Sequence, residues 1–168
     1  FIANGVFNIG FLYIPLIIFI ITGTSNAVNL TDGLDGLATG LVAISTLVFA
    51  AIAYASGRID YSNYLNIIFI PNSGELFIFC LAMIGSCIGF LWFNAHPAKV
   101  FMGDIGSLSL GAAIGTLAIL LKKEILLIII GGVFVIESLS VIFQVLYFKI
   151  TKKTRGKGER LFKMAPIH

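Results

Sequence analysis

Charge is what this chain has least of: Lys, Arg, Asp and Glu make up only 11% of its 168 residues. Soluble domains carry about 25%, so an ordinary water-exposed fold is excluded, and no nucleic-acid partner is expected. Cysteine is nearly absent too. Cys80 and Cys87 lie seven apart in one apolar run, a spacing that fits neither a disulfide framework nor a metal site, and they are expected simply to pack. No internal repeat, low-complexity tract or separate soluble domain is visible. The chain starts at Phe1, inside an apolar stretch, with neither Met nor a basic signal-peptide start, so it is expected to be part of a larger membrane protein.

What fills the space is hydrocarbon: 58% of residues are hydrophobic and the mean hydropathy is +1.03. Apolar runs extend from about Gly5 to Thr22, Leu37 to Ala55, Leu76 to Phe93, Ser107 to Leu121 and Ile125 to Phe148. Each can cross a bilayer as a helix, the short fourth run at a thin place or with help from Val100 to Met102. The expected fold is all-α: a polytopic transmembrane bundle with about five spanning helices, forming one domain over residues 1–168.

The basic residues orient it. With five spans, the segments at about 23–36, 94–106 and 149–168 share one side. That side carries Lys99, Lys149, Lys152, Lys153, Arg155, Lys157, Arg160 and Lys163, against Arg58, Lys122 and Lys123 opposite. The positive-inside rule makes it cytoplasmic, and the basic tail could also rest on anionic headgroups. The polar groups of interest all fall on this side, so a single site is the economical reading.

The first group is Asn26-Ala-Val-Asn-Leu-Thr-Asp-Gly-Leu-Asp-Gly36. Asn26, Asn29, Asp32 and Asp35 recur every third residue, along one edge of a helical backbone. Helix capping uses one or two such residues, whereas ionisable groups beside a bilayer mark ligand or ion sites. The second group is Asn94-Ala-His-Pro-Ala-Lys-Val-Phe-Met-Gly-Asp-Ile-Gly-Ser107. Asp104, between Gly103 and Gly106, suits a hard cation such as Mg²⁺, with a helix N-cap as the plain alternative. Gly106 and Ser107 are expected to open the fourth helix, whose amino end favours phosphate. Phe101 could stack on a nucleobase or bury at the membrane interface, and Asn94 could bond a base edge. His96, held extended before Pro97, is expected to orient the loop. Glu137 is costly in mid-span and is expected to make an internal hydrogen bond, with Gln144 seven residues later on its face.

Three segments carry a resemblance: Asn26 to Ala38, Phe101-Met-Gly-Asp-Ile-Gly-Ser107 and Leu161-Phe-Lys-Met-Ala-Pro-Ile-His168. They resemble the polyprenyl-phosphate N-acetylhexosamine-1-phosphate transferase superfamily, and within it the phospho-N-acetylmuramoyl-pentapeptide-transferase branch. That likeness implies a ten-helix enzyme of the bacterial inner membrane, often dimeric, with its active site on the cytoplasmic face. This chain would be its carboxy-proximal part and inactive alone. The implied partners are UDP-MurNAc-pentapeptide, undecaprenyl phosphate and the bilayer, the products lipid I and UMP, and the cofactor Mg²⁺. Asp104 matches the magnesium ligand, with Asn29 beside it. Asp32, Asp35, Asp104 and His168 are the implied catalytic groups. Asn26, Gly33, Leu34, Asn94, Phe101 and Gln144 are the implied substrate-binding residues, Phe101 being the base-stacking ring. A sister UDP-GlcNAc transferase would share the acids and the metal but not the tail. An ion-coupled transporter using Asp32, Asp35 and Glu137 is the reading from a different class.

Overall fold

A computed structural model describes residues 2–3, 6–7, 10–155 and 158–167. A two-residue antiparallel pairing of β1 (Ile2–Ala3) with β2 (Val6–Phe7) precedes a 3-10 turn and, among the described residues, seven helices. These are α1 (Tyr13–Thr31), α2 (Leu37–Ser56), α3 (Ile59–Tyr64), α4 (Ser73–Asn94), α5 (Gly103–Leu120), α6 (Glu124–Ile130) and α7 (Gly132–Arg155). Five helical segments among the described residues are long and apolar enough to cross a membrane: Gly10–Thr31, Leu37–Ser56, Ser73–Asn94, Gly103–Leu120 and Gly132–Thr154. The all-α bundle read from the apolar runs is what is observed.

Three boundaries differ from the sequence reading, each for a local reason. The first span continues to Thr31, so Asn26 and Asn29 lie on a helix rather than in a connecting segment. Asp32 ends that helix (φ −79°, ψ 47°), and the continuous edge from Asn26 to Asp35 is broken there. The fourth helix starts at Gly103, not Gly106, because Gly103 takes a positive φ of 66° that turns the chain into it. The fifth run is split at Gly131 into α6 and α7.

Two helix pairs build the bundle: α2 lies along α4, and α1 along α5, while α7 packs on α1. Lipid tails are as apolar as leucine, so spanning helices associate through close packing of small residues and buried hydrogen bonds. The α1–α5 seam shows this. A side chain at Gly111 would strike the backbone of Thr24 and Ser25 at 2.6 and 2.7 Å, and one at Gly115 would collide with Thr24 Oγ1. Ser25 Oγ donates to Leu108 O at 2.9 Å across the same seam. The α2–α4 seam buries Val42, Phe49 and Ala53 with Cys80, Met83 and Cys87, and both cysteines are free and packed. Ser73 Oγ closes its far end on Ala53 O at 2.9 Å.

Candidate active site

The α1–α2 turn, the α4–α5 loop and the first turn of α5 enclose a cleft of about 200 Å³. It is lined by Asn29, Asp32, Gly33, Leu34, Asp35, Asn94, Phe101, Gly103 and Asp104. Its two walls come from the two seams. Because α1 and α5 touch along Gly111 and Gly115, Asn29 near the end of α1 faces the start of α5. Asn29 Nδ2 donates to Asp104 Oδ1 at 3.0 Å and to Ser107 Oγ at 2.9 Å. Ser107 is fully buried, and its hydroxyl donates in turn to Gly103 O at 3.1 Å.

The second wall is a clasp between α2 and α4. Asn94, only 3% exposed, accepts at Oδ1 from Gly36 N and Thr39 Oγ1, both at 3.1 Å, and donates from Nδ2 to Val100 O at 2.9 Å. Gly36 has φ 74° and Leu91 sits 3.1 Å from where its Cβ would lie, so a side chain there would be both strained and crowded. Asp35 Oδ2 closes the same loop, accepting from Ala98 N at 3.1 Å and lying 3.0 Å from His96 Nδ1.

The acids differ accordingly. The Ala98 amide and the His96 ring hold the Asp35 carboxyl below its usual range. Partial burial, and then the neighbouring Asp104 charge, push Asp32 upward. Asp104 itself is exposed, with Oδ1 committed to Asn29. A cation bound beside Asp32 would offset both the burial and the neighbouring charge that disfavour its ionised form.

Sequence reasoning placed most of these residues in one site, and the structure brings Asn29, Asp32, Gly33, Leu34, Asp35, Asn94, Phe101 and Asp104 together. It does not bring Asn26 there: its Nδ2 donates to Thr22 O at 2.7 Å on its own helix. Gln144 does not line the cleft either, because its Oε1 accepts Leu161 N and Phe162 N at 3.1 and 2.8 Å. His168 lies outside the described residues. Glu137 makes an internal hydrogen bond, accepting Ile167 N at 2.8 Å, although the partner is the tail rather than another spanning helix. The sequence reading gave no structural part to Thr39 or Ala98, and expected Ser107 only to open the fourth helix. Only Ser107 left a signal, as the first of the small residues Ser107, Gly111 and Gly115 spaced by four.

Comparison with known proteins gives this arrangement a lineage. The model of glycosyl transferase family 4 matches residues 1–122, most of the chain. The chain belongs to that family. It is also similar to proteins named phospho-N-acetylmuramoyl-pentapeptide-transferase. It is 54% identical to that of Thermodesulfovibrio yellowstonii over all of this chain and 45% of the relative. For Rickettsia bellii the figures are 59% identity over 96% of this chain and 43% of the relative, and for Chloroherpeton thalassium 56% over 100% and 46%. The chain thus spans a little under half the length of these relatives. As a family 4 chain it pairs a glycosyl-transferase lineage with membrane-spanning helices.

The donor set of the cleft can be weighed against the divalent ion implied by the resemblance. Among the described residues no group of three His, Cys, Asp or Glu side chains is placed to hold a metal ion, so an ion bound at the cleft would need ligands besides these side chains. Two carboxylates and a carboxamide fit Mg²⁺, which keeps waters and takes substrate phosphate oxygens as its remaining ligands.

Proposed function

We propose that this chain forms part of an enzyme that moves phospho-MurNAc-pentapeptide from its UDP-linked donor to undecaprenyl phosphate, yielding lipid I and UMP. A phosphate oxygen of the lipid attacks the sugar-linked phosphorus. The bond from that phosphorus to the UMP oxygen breaks, and UMP leaves with the electron pair. The observation that carries the reading is the position of the Asp32–Asn29–Asp104 group. It lies at the ends of membrane-spanning helices, where a water-soluble donor and a lipid phosphate can both arrive. The relatives' names favour the muramoyl-pentapeptide donor over UDP-GlcNAc. The excess of basic residues on the same side supports a cytoplasmic opening, in the bacterial inner membrane.

The residues divide the work. Asp104, oriented by Asn29 and Ser107, and Asp32 across from it would hold Mg²⁺. Bound there with the donor pyrophosphate, the ion would neutralise charge on the transferring and leaving phosphates. Asp35 keeps the loop closed, so Asp32 is the carboxylate left to face substrate. Phe101, 74% exposed at the rim, offers a ring face to the uracil. Gly33 and Leu34 offer a wall without charge beside it. The polar cluster lies at helix ends on one side rather than at mid-span, which argues against a translocation path.

The full-length enzyme, reconstituted with undecaprenyl phosphate, is expected to release UMP from UDP-MurNAc-pentapeptide and not from UDP-GlcNAc. Release from UDP-GlcNAc alone would transfer the assignment to the sister activity. Ion flux with no UMP release would defeat both.

A further inference from the structure

The connection between α2 and α4, residues 57–72, is built inside out. Ser62 of α3 is buried, as are Ser56 and Ser73 at the ends of the flanking helices, while Tyr64 is 87% exposed and Leu65, Ile68 and Phe69 are exposed beside it. A connection lying in water does the reverse, showing its hydroxyls and covering its rings. The outer surface of α3 has two sides. Tyr61, Tyr64 and Leu65 follow the spacing of one helical face, and Asp60 and Asn63, three apart, share another.

The backbone here needs little from water. Leu65 N donates to Tyr61 O at 2.9 Å, Ile67 N to Ser62 O at 3.0 Å and Ile70 N to Ser56 O at 2.9 Å. Ser62 Oγ donates to Ile59 O at 3.0 Å. A chain whose polar groups are paired internally can sit at a depth where water is scarce.

Its level is set by α4. From Ser73 to Trp92 this unbroken helix rises about 28 Å, close to the roughly 30 Å of a hydrocarbon core. Trp92 is exposed near the cleft end, where an indole suits the headgroup boundary, so the same helix delivers Ser73 to the opposite boundary. There Arg58 rests over the rings of Tyr54 and Tyr61, 5.7 and 5.2 Å from their centroids, and donates from Nη1 to Tyr54 Oη at 3.0 Å. A cation among phenols at one level is the composition of an interfacial belt. Tyr54 of α2 also meets Tyr61 of α3 and Phe77 of α4, with centroids 5.9 and 5.3 Å apart. One aromatic surface therefore joins the connection to both spans.

We infer that the α2–α4 connection is an interfacial anchor: Tyr64, Leu65, Ile68 and Phe69 insert into the lipid leaflet opposite the cleft, with Arg58 and Asn63 at headgroup level. The occupant is lipid because this surface continues that of two membrane-spanning helices and carries its cation and tyrosines where headgroups begin. The inference rests on the bundle and not on the transferase reading. The full-length enzyme in vesicles of phosphatidylethanolamine and phosphatidylglycerol tests it, with nitroxide labels on Asn63→Cys, Tyr64→Cys and Ile68→Cys singly and other accessible thiols removed. Oxygen collects in hydrocarbon and a nickel chelate stays in water, so the ratio of their effects on each label reports its depth. Labels at 64 and 68 should lie about 5–10 Å below the headgroup boundary, and the label at 63 at that boundary or above it. Free access of the chelate to 64 and 68 would overturn the anchor in favour of a connection in water. Immobile labels reached by neither agent would overturn it in favour of a protein surface, from the rest of the enzyme or a second copy. A label at 63 as deep as the others would overturn the two-sided placement. All three side chains are exposed, so UMP release should stay near wild type and report a folded enzyme. An unsubstituted enzyme that releases no UMP would defeat the transferase reading, while the depths still decide the anchor.

Discussion

Asn29 and Asn94 are both asparagines that approach one cleft from the end of a spanning helix, and their surroundings separate their roles. Asn94 is 3% exposed, with two donors on its oxygen and a carbonyl on its nitrogen. Asn29 spends its nitrogen on Asp104 and Ser107, and the carboxylate it holds stays exposed. The acids repeat the contrast. Asp35 is engaged by Ala98 and His96, whereas Asp32 is left facing another charge. One half of the cleft is a closed clasp that shapes it, and the other is an open pair with capacity to spare for a ligand. Saturated polar groups specify structure, and unsaturated ones are where chemistry can occur.

The largest effect is expected on the open side. Asp104→Asn in the full-length enzyme should reduce UMP release by about 100-fold or more, the scale of losing one charge-stabilising group. Its thermal unfolding should be nearly unchanged. Near-normal turnover would erase the distinction between the two halves. The closed side should respond in the opposite sense. Asn94→Leu strands the Gly36 amide, the Thr39 hydroxyl and the Val100 carbonyl, and buried groups left unpaired cost about 1–3 kcal/mol each before relaxation. A clear drop in unfolding temperature is the measurement, and an unchanged one would show that the clasp is not structural.

Asp32→Asn should produce a mixed signature. It removes the repulsion with Asp104, so melting temperature without metal should hold or rise slightly. Half-maximal activity should require about 10-fold more Mg²⁺, within the range for perturbing a metal environment. A loss of stability with unaltered metal demand would contradict the assignment.

The smallest effect is in acid. The Asp35 carboxyl lies below its usual value, so its contribution is complete above the unfolded carboxyl's pKa of about 3.9 and is lost as pH falls through the lower folded value. Protection of the Ala98 amide against hydrogen exchange should therefore persist at mildly acid pH and fall only in strong acid. Asp35→Asn should change the protection least where wild type is already protonated.

Much of this was legible in the chain. Long apolar runs can satisfy their amides in a bilayer only as helices or closed barrels, and their length and spacing favour helices, so five spans follow from composition and run length. Alternation of spans then gathers the Asn/Asp turn and the Gly-Asp-Ile-Gly segment at one end. Boundaries were less legible, because Asn26 and Asn29 are polar yet tolerated inside a helix that has a partner for them. The helix start at Gly103 depends on a positive φ that glycine permits without announcing, and the break at Gly131 interrupts an apolar run that is continuous in the sequence. Gln144 shows the harder limit. Its type and spacing fit a substrate contact, and only the returning tail reveals that its oxygen is already taken.

By itself, then, the sequence determined that the chain is a bundle of apolar helices with its acids collected at one end, because hydrophobic run length and charge placement are one-dimensional properties. The tertiary structure alone decided which of those acids are spent and which are available. That division depends on how closely the backbones approach at Gly36, Gly111 and Gly115, a distance between segments far apart in the chain.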